Sequence, residues 1–70
     1  PPHMTDQWAT YADAATLLNV PEATLRVWVH RGRKGKGRPI ETTTIRHRVH
    51  VHLHDIRLAE RDSRLAREQG

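Results

Sequence analysis

The sequence predicts a mostly α-helical domain carrying one small β-hairpin. Three observations lead there. Two short runs with apolar residues at helical spacing lie three residues apart, Thr10–Leu18 and Pro21–Gly32. Two runs rich in β-branched residues follow a Gly/Pro-rich stretch, "IETTTI" and "RVHVHL". A third run at helical spacing closes the chain, from about Asp55 to Arg67. With 70 residues there is room for one domain and one small core.

The first helix is read over Thr10–Leu18. Thr10 is a suitable N-cap, because its hydroxyl accepts from a free amide of the first turn. Asp13 stands three residues on and favours the positive helix end. Ala14, Ala15, Leu17 and Leu18 supply the apolar face. Asn19 tolerates the left-handed conformation that ends a helix.

The second helix is read over Pro21–Gly32. Pro21 suits the first turn, and Gly32 is the expected stop. Leu25, Trp28 and Val29 share one face at i, i+3 and i+4, which directs Glu22, Ala23, Thr24, Arg26, Val27 and His30 outward. Residues 33–39, "RKGKGRP", form a basic loop. Residues 40–53 form the hairpin, with its turn near Ile45–His47. The last helix, 55–67, has a narrow apolar stripe and a charged outer face, as expected of a lid over the core.

Charge is concentrated in the middle of the chain. Residues 1–25 hold Asp6, Asp13 and Glu22 with no Lys or Arg. Residues 26–50 hold eight Lys and Arg against Glu41 alone, and residues 51–70 balance four against four. The net charge is +4. One basic block on a small domain is the electrostatic footprint of a nucleic-acid binder, or else a solvated loop. There is no cysteine, which excludes a disulfide scaffold and is compatible with a reducing cytoplasm. No apolar run approaches the roughly 18 residues of a membrane span. No membrane, small-molecule or cofactor partner is expected. An enzyme is not expected either: no nucleophile motif or phosphate-binding glycine loop is present, and the chain leaves little room for a pocket. Pro1, Pro2 and His3 read as a cloning remnant, and Met4 as the native start of a single domain over residues 4–70.

The helix pair meets the demands of a helix-turn-helix. Ala15 is the small residue at the helix contact, Asn19 sits at the turn, and Val20 plugs the gap beneath it. Leu25 and Trp28 face back to the first helix. With Thr10, Ala14, Ala15, Val20, Thr24, Trp28 and Gly32 in place, residues 8 to 58 resemble the winged helix-turn-helix of MerR-type regulators and phage excisionases. Terminase small subunits carry a similar domain. Asn19 replaces the usual turn glycine, and Val51 stands near the expected wing tyrosine.

The resemblance implies a winged helix-turn-helix that binds double-stranded DNA, as a recombination directionality factor, a transcriptional regulator or a packaging protein. It implies a place in the bacterial cytoplasm at the nucleoid, with self-association on repeated sites or a recombinase or polymerase as further partners. The second helix would enter the major groove. There Arg26 faces a guanine edge or a phosphate, Thr24 a phosphate or thymine methyl, and Glu22 a cytosine amine or its own helix dipole. Arg31, Arg33, Lys34, Lys36 and Arg38 would hold phosphates, as would Arg46, His47 and Arg48 of the wing. "KGRP", Lys36 to Pro39, also resembles an AT-hook core that enters a narrow minor groove. A protein-interaction module on the same scaffold is the competing reading.

"HRVHVHLH", residues 47–54, is the remaining motif. On one strand His50, His52 and His54 would share a face, with Val49, Val51 and Leu53 on the other. Outer same-face Cα atoms would then be roughly 13 Å apart, too far for one ion to take all three. The expectation is a polar wing face without metal. A wing that gains charge as its histidines protonate, and a two-histidine metal site, are the alternatives.

Overall fold

The structure is a computed structural model and describes residues 7–69. Residues 1–3 and Met4, read as a remnant and a start, lie outside the described residues. Six elements follow in order: β1 (Trp8–Thr10), α1 (Tyr11–Leu18), α2 (Glu22–Arg33), β2 (Thr42–Ile45), β3 (Arg48–His52) and α3 (Leu53–Gln69). The result is three helices and one three-stranded antiparallel sheet of order β1-β3-β2.

Local chemistry sets the first helix pair. The Thr10 hydroxyl accepts from the Asp13 amide at 3.2 Å, which caps α1. Asn19 ends it at φ 56°, ψ 48°. There the Asn19 and Val20 amides donate back to the Thr16 and Ala15 carbonyls. Pro21 then opens α2 in extended geometry. Leu25 and Val29 of α2 are buried, with Trp28 half-buried beside them, as their spacing predicts. On α1 the fully buried alanine is Ala14, and Ala15 packs against the core half-buried.

α2 does not stop at Gly32. It runs to Arg33, and the left-handed glycine is Gly35 at φ +71°. Gly32 serves tertiary packing instead. A Cβ there would stand 2.5 Å from the Arg38 carbonyl oxygen, so the returning loop passes against the bare helix backbone.

The hairpin is shorter than its sequence run and its turn is tight. Ile45 pairs with Arg48, leaving a two-residue turn of Arg46 (φ 50°) and His47 (φ 67°). Positive φ at both central residues is the primed turn geometry whose twist suits a hairpin. The third strand, β1, is not visible in the sequence reading. It pairs Trp8, Ala9 and Thr10 with His52, Val51 and His50, making β3 the central strand.

That central place corrects the histidine face. His50 is buried at 4% exposure between its lateral partners Thr10 and Thr43, while Val49, expected in the core, is 43% exposed near the hairpin end. Val51 and Ala9, paired across the core face, are fully buried. His54 is not on the strand at all. α3 starts at Leu53, two residues before the expected Asp55, so Leu53 enters the core from a helix and His54 is exposed.

Leu53, Ile56 and Ala59 anchor the first turns of α3 in the core with Leu25, Val29, Ile40 and Val51. Beyond Glu60, residues 61–68 are exposed apart from half-buried Ser63. The start of α3 is tied twice. The Leu53 amide donates to the Gln7 carbonyl at 2.8 Å, and the Asp55 carboxylate accepts from the Glu41 amide at 3.0 Å. Among the described residues no helix is long and apolar enough to cross a membrane.

Candidate functional site

The outward face of α2 is as the spacing predicts. Glu22, Ala23, Arg26, Val27 and His30 are exposed and Thr24 is half-buried. Helix geometry fixes this: with Leu25 and Val29 held in the core, the opposite positions have only solvent to face. Two of the six are bound to neighbours. Glu22 and Arg26 form an i,i+4 ion pair at 3.1 Å, and the Arg26 guanidinium lies over the Tyr11 ring, 4.6 Å from its centroid. Arg26 is therefore preset in direction by α1 rather than swinging freely.

The basic residues divide by what they touch. Arg33 donates to the Thr42 hydroxyl at 3.2 Å, tying the end of α2 to the start of β2. Arg38 is drawn away from its loop to α3, where its Nε donates to Asp62 Oδ2 at 2.7 Å and Nη2 to Oδ1 at 3.5 Å. The hydrogen bond holds the Asp62 carboxyl below its ordinary range and lifts Arg38 above its own. With Arg38 engaged this way, the "KGRP" stretch does not present its arginine as a free groove-inserting side chain.

Arg31, Lys34 and Lys36 are exposed and, among the described residues, meet no carboxylate. With His30 they line a notch of about 390 Å³ at the C-terminal end of α2. The helix dipole accounts for the cations in the last turn, Arg31 and Arg33, but not for Lys34 and Lys36 beyond it. Three cations and an imidazole, with no carboxylate in the lining, give the notch a positive field that attracts an anion. At the wing, Arg46 and His47 project from the turn and Arg48 opens β3, all exposed and without a carboxylate among the described residues.

The histidines of β3 and the start of α3 are held by different neighbours. His52 packs edge-on to Trp8 at 5.0 Å and to His54 at 6.5 Å between ring centroids. Its Nδ1 lies 4.0 Å from Asp55 Oδ2. His50 Nδ1 is 2.9 Å from the Arg48 carbonyl oxygen and donates to it when that nitrogen carries the proton. Among the described residues no three His, Asp or Glu side chains come together to hold a metal ion.

The chain has more concavity than its length implies. A groove of about 530 Å³ lies between Trp28 and Arg31 of α2, residues 36–38 of the loop, and Ala59, Asp62, Ser63, Ala66 and Arg67 of α3. The expectation is little room for a pocket, and this groove is the room that the described residues leave. The Arg38–Asp62 pair that shapes it joins residues 24 apart, beyond any local pattern. No family model, curated protein or solved structure matches this chain.

Proposed function

We propose that the chain is a small sequence-specific binder of double-stranded DNA, built as a winged helix-turn-helix. α2 is the recognition helix in the major groove, and β2–β3 is the wing on the backbone or minor groove. The observation that carries the reading is the carboxylate-free cluster of Arg31, Lys34 and Lys36 beside an exposed helix face. Three further features support it. Asn19 builds the tight turn between α1 and α2. Arg33 couples α2 to the base of the hairpin. The hairpin tip carries Arg46 and His47 where glycine or asparagine would be less strained.

Roles follow from position. Arg31, Lys34 and Lys36 neutralise phosphates and set register, with Arg46, His47 and Arg48 as the second anchor. Ala23, Thr24, Val27 and His30 meet base edges. Arg26, held by Glu22 and Tyr11, presents a pre-oriented guanidinium. The protein serves as an excisionase-like directionality factor or a transcriptional regulator in a bacterial cytoplasm.

The test is a fluorescence-anisotropy titration with mixed-sequence duplex DNA at about 50 and 200 mM salt. Phosphate contacts by the five Lys and Arg among these anchors would weaken binding roughly 500-fold between those concentrations. No binding at either salt would overturn the reading.

A further inference from the structure

The groove between α2 and α3 has a composition that phosphate contact does not explain. Its floor is the half-buried Trp28 indole with Ala59, Ser63 and Ala66 of α3. Those three stand at i, i+4 and i+7, so they form a low track of roughly 10 Å along two helical turns. Gly37 keeps the facing wall low as well. Four cations rim the track, Arg31, Lys36, Arg38 and Arg67, against one carboxylate, Asp62, which Arg38 already neutralises.

α3 is also longer than its core requires. Its last buried residue is Ala59, yet the helix continues to Gln69. A free segment that short is a marginal helix in water. Here it is held across the groove by Arg38–Asp62 and along its own face by Glu60–Arg64 at 3.3 Å. The extension thus builds one wall of the groove and adds nothing to the core.

We propose that this groove docks an acidic amphipathic helix of a partner protein. Small side chains along α3 let a second helix backbone approach to the usual distance of about 8–10 Å. An apolar anchor then covers Trp28, and carboxylates on the flanks meet Arg31, Lys36 and Arg67. A nucleic-acid backbone matches the rim but has nothing apolar to place on the floor. The groove shares Arg31 and Lys36 with the notch at the end of α2, so an acidic partner helix and duplex DNA would compete for those two cations, while Trp28, Ala59, Ser63, Ala66 and Arg67 belong to the groove alone.

The experiment titrates the ¹⁵N-labelled chain with a synthetic amphipathic helical peptide carrying Leu on one face and Glu on its flanks. Controls are its scrambled version and its Glu→Lys version. The expected result is shifts at Ala59, Ser63, Ala66 and the Trp28 indole N–H with the acidic peptide alone. Ala66→Gln fills the track without changing charge, and Arg67→Glu reverses one rim charge. Each weakens the peptide at least about fivefold, and Ala66→Gln leaves duplex affinity as it was. Because Ala66 is exposed, helicity by circular dichroism stays that of the parent chain. Absence of peptide binding, or equal binding of the scrambled peptide, overturns the proposal. So does duplex DNA shifting the same three residues with Ala66→Gln weakening it, which would assign the groove to nucleic acid.

Discussion

Among the described residues two turns hold non-glycine residues at positive φ, and they differ in what surrounds them. Asn19 sits between α1 and α2, where its backbone and that of Val20 satisfy the last carbonyls of α1. Its left-handed conformation is part of helix termination, and asparagine tolerates it. Arg46 and His47 sit at the hairpin tip, exposed, and the Arg46 side chain gains nothing from that geometry. An Asn-Gly pair would make the same turn with less strain. The first turn is explained by the fold alone. The second geometry is required by the two-residue turn, but the choice of Arg and His there has no reason in the fold itself.

Changes at the two turns separate these explanations. Asn19→Val forces a β-branched residue into the left-handed region and is expected to cost about 2 kcal/mol in urea unfolding. Duplex affinity of the folded fraction stays unchanged. Arg46→Asn combined with His47→Gly is expected to do the reverse: a raised Tm, with duplex affinity down about tenfold at low salt through two lost backbone contacts. Unchanged affinity in that variant would reduce the tip to a strained loop. Asn19→Gly is expected to move stability by only a few tenths of a kcal/mol, since glycine reaches the same conformation. The smallest effect belongs to neither turn and serves as the control. Asp62 titrates below its ordinary value of 3.8 because Arg38 bonds its charged form. The pair therefore stabilises the fold above about pH 4, and that contribution is lost as pH falls through the lowered value. The Tm of the parent chain is expected to fall more steeply below pH 4 than that of Asp62→Asn.

What was legible in the sequence was mostly local. The Thr10 cap, the Asn19 turn, the inward set Leu25, Trp28 and Val29 and the hairpin near Arg46–His47 each depend on residues within four positions. β1 was not legible, because three residues show no period and their partners lie about 40 positions away. Gly32 looked like a stop signal, but its reason is the return of Arg38 against the helix. The histidine face failed because alternation assumes one dry side, whereas β3 is paired on both edges and buries His50. In the candidate site, the basic block and the outer face of α2 were read directly. The capture of Arg38 by Asp62 is a long-range contact, and with it came the groove that the sequence reading missed.

The pairing of β1 with β3 also sets the order in which the molecule can assemble. The α1–α2 unit and the β2–β3 hairpin close over short sequence separations, and isolated helices and hairpins form in about 0.1–10 microseconds. β1 has to wait for residues 50–52, and the Gln7–Leu53 bond waits with it. Loop closure over that span comes before any contact rewards it, so zipping β1 is the expected rate-limiting step. During synthesis β1 emerges before its partner exists. Until β3 follows, its three residues lack the ladder that they join in the folded chain.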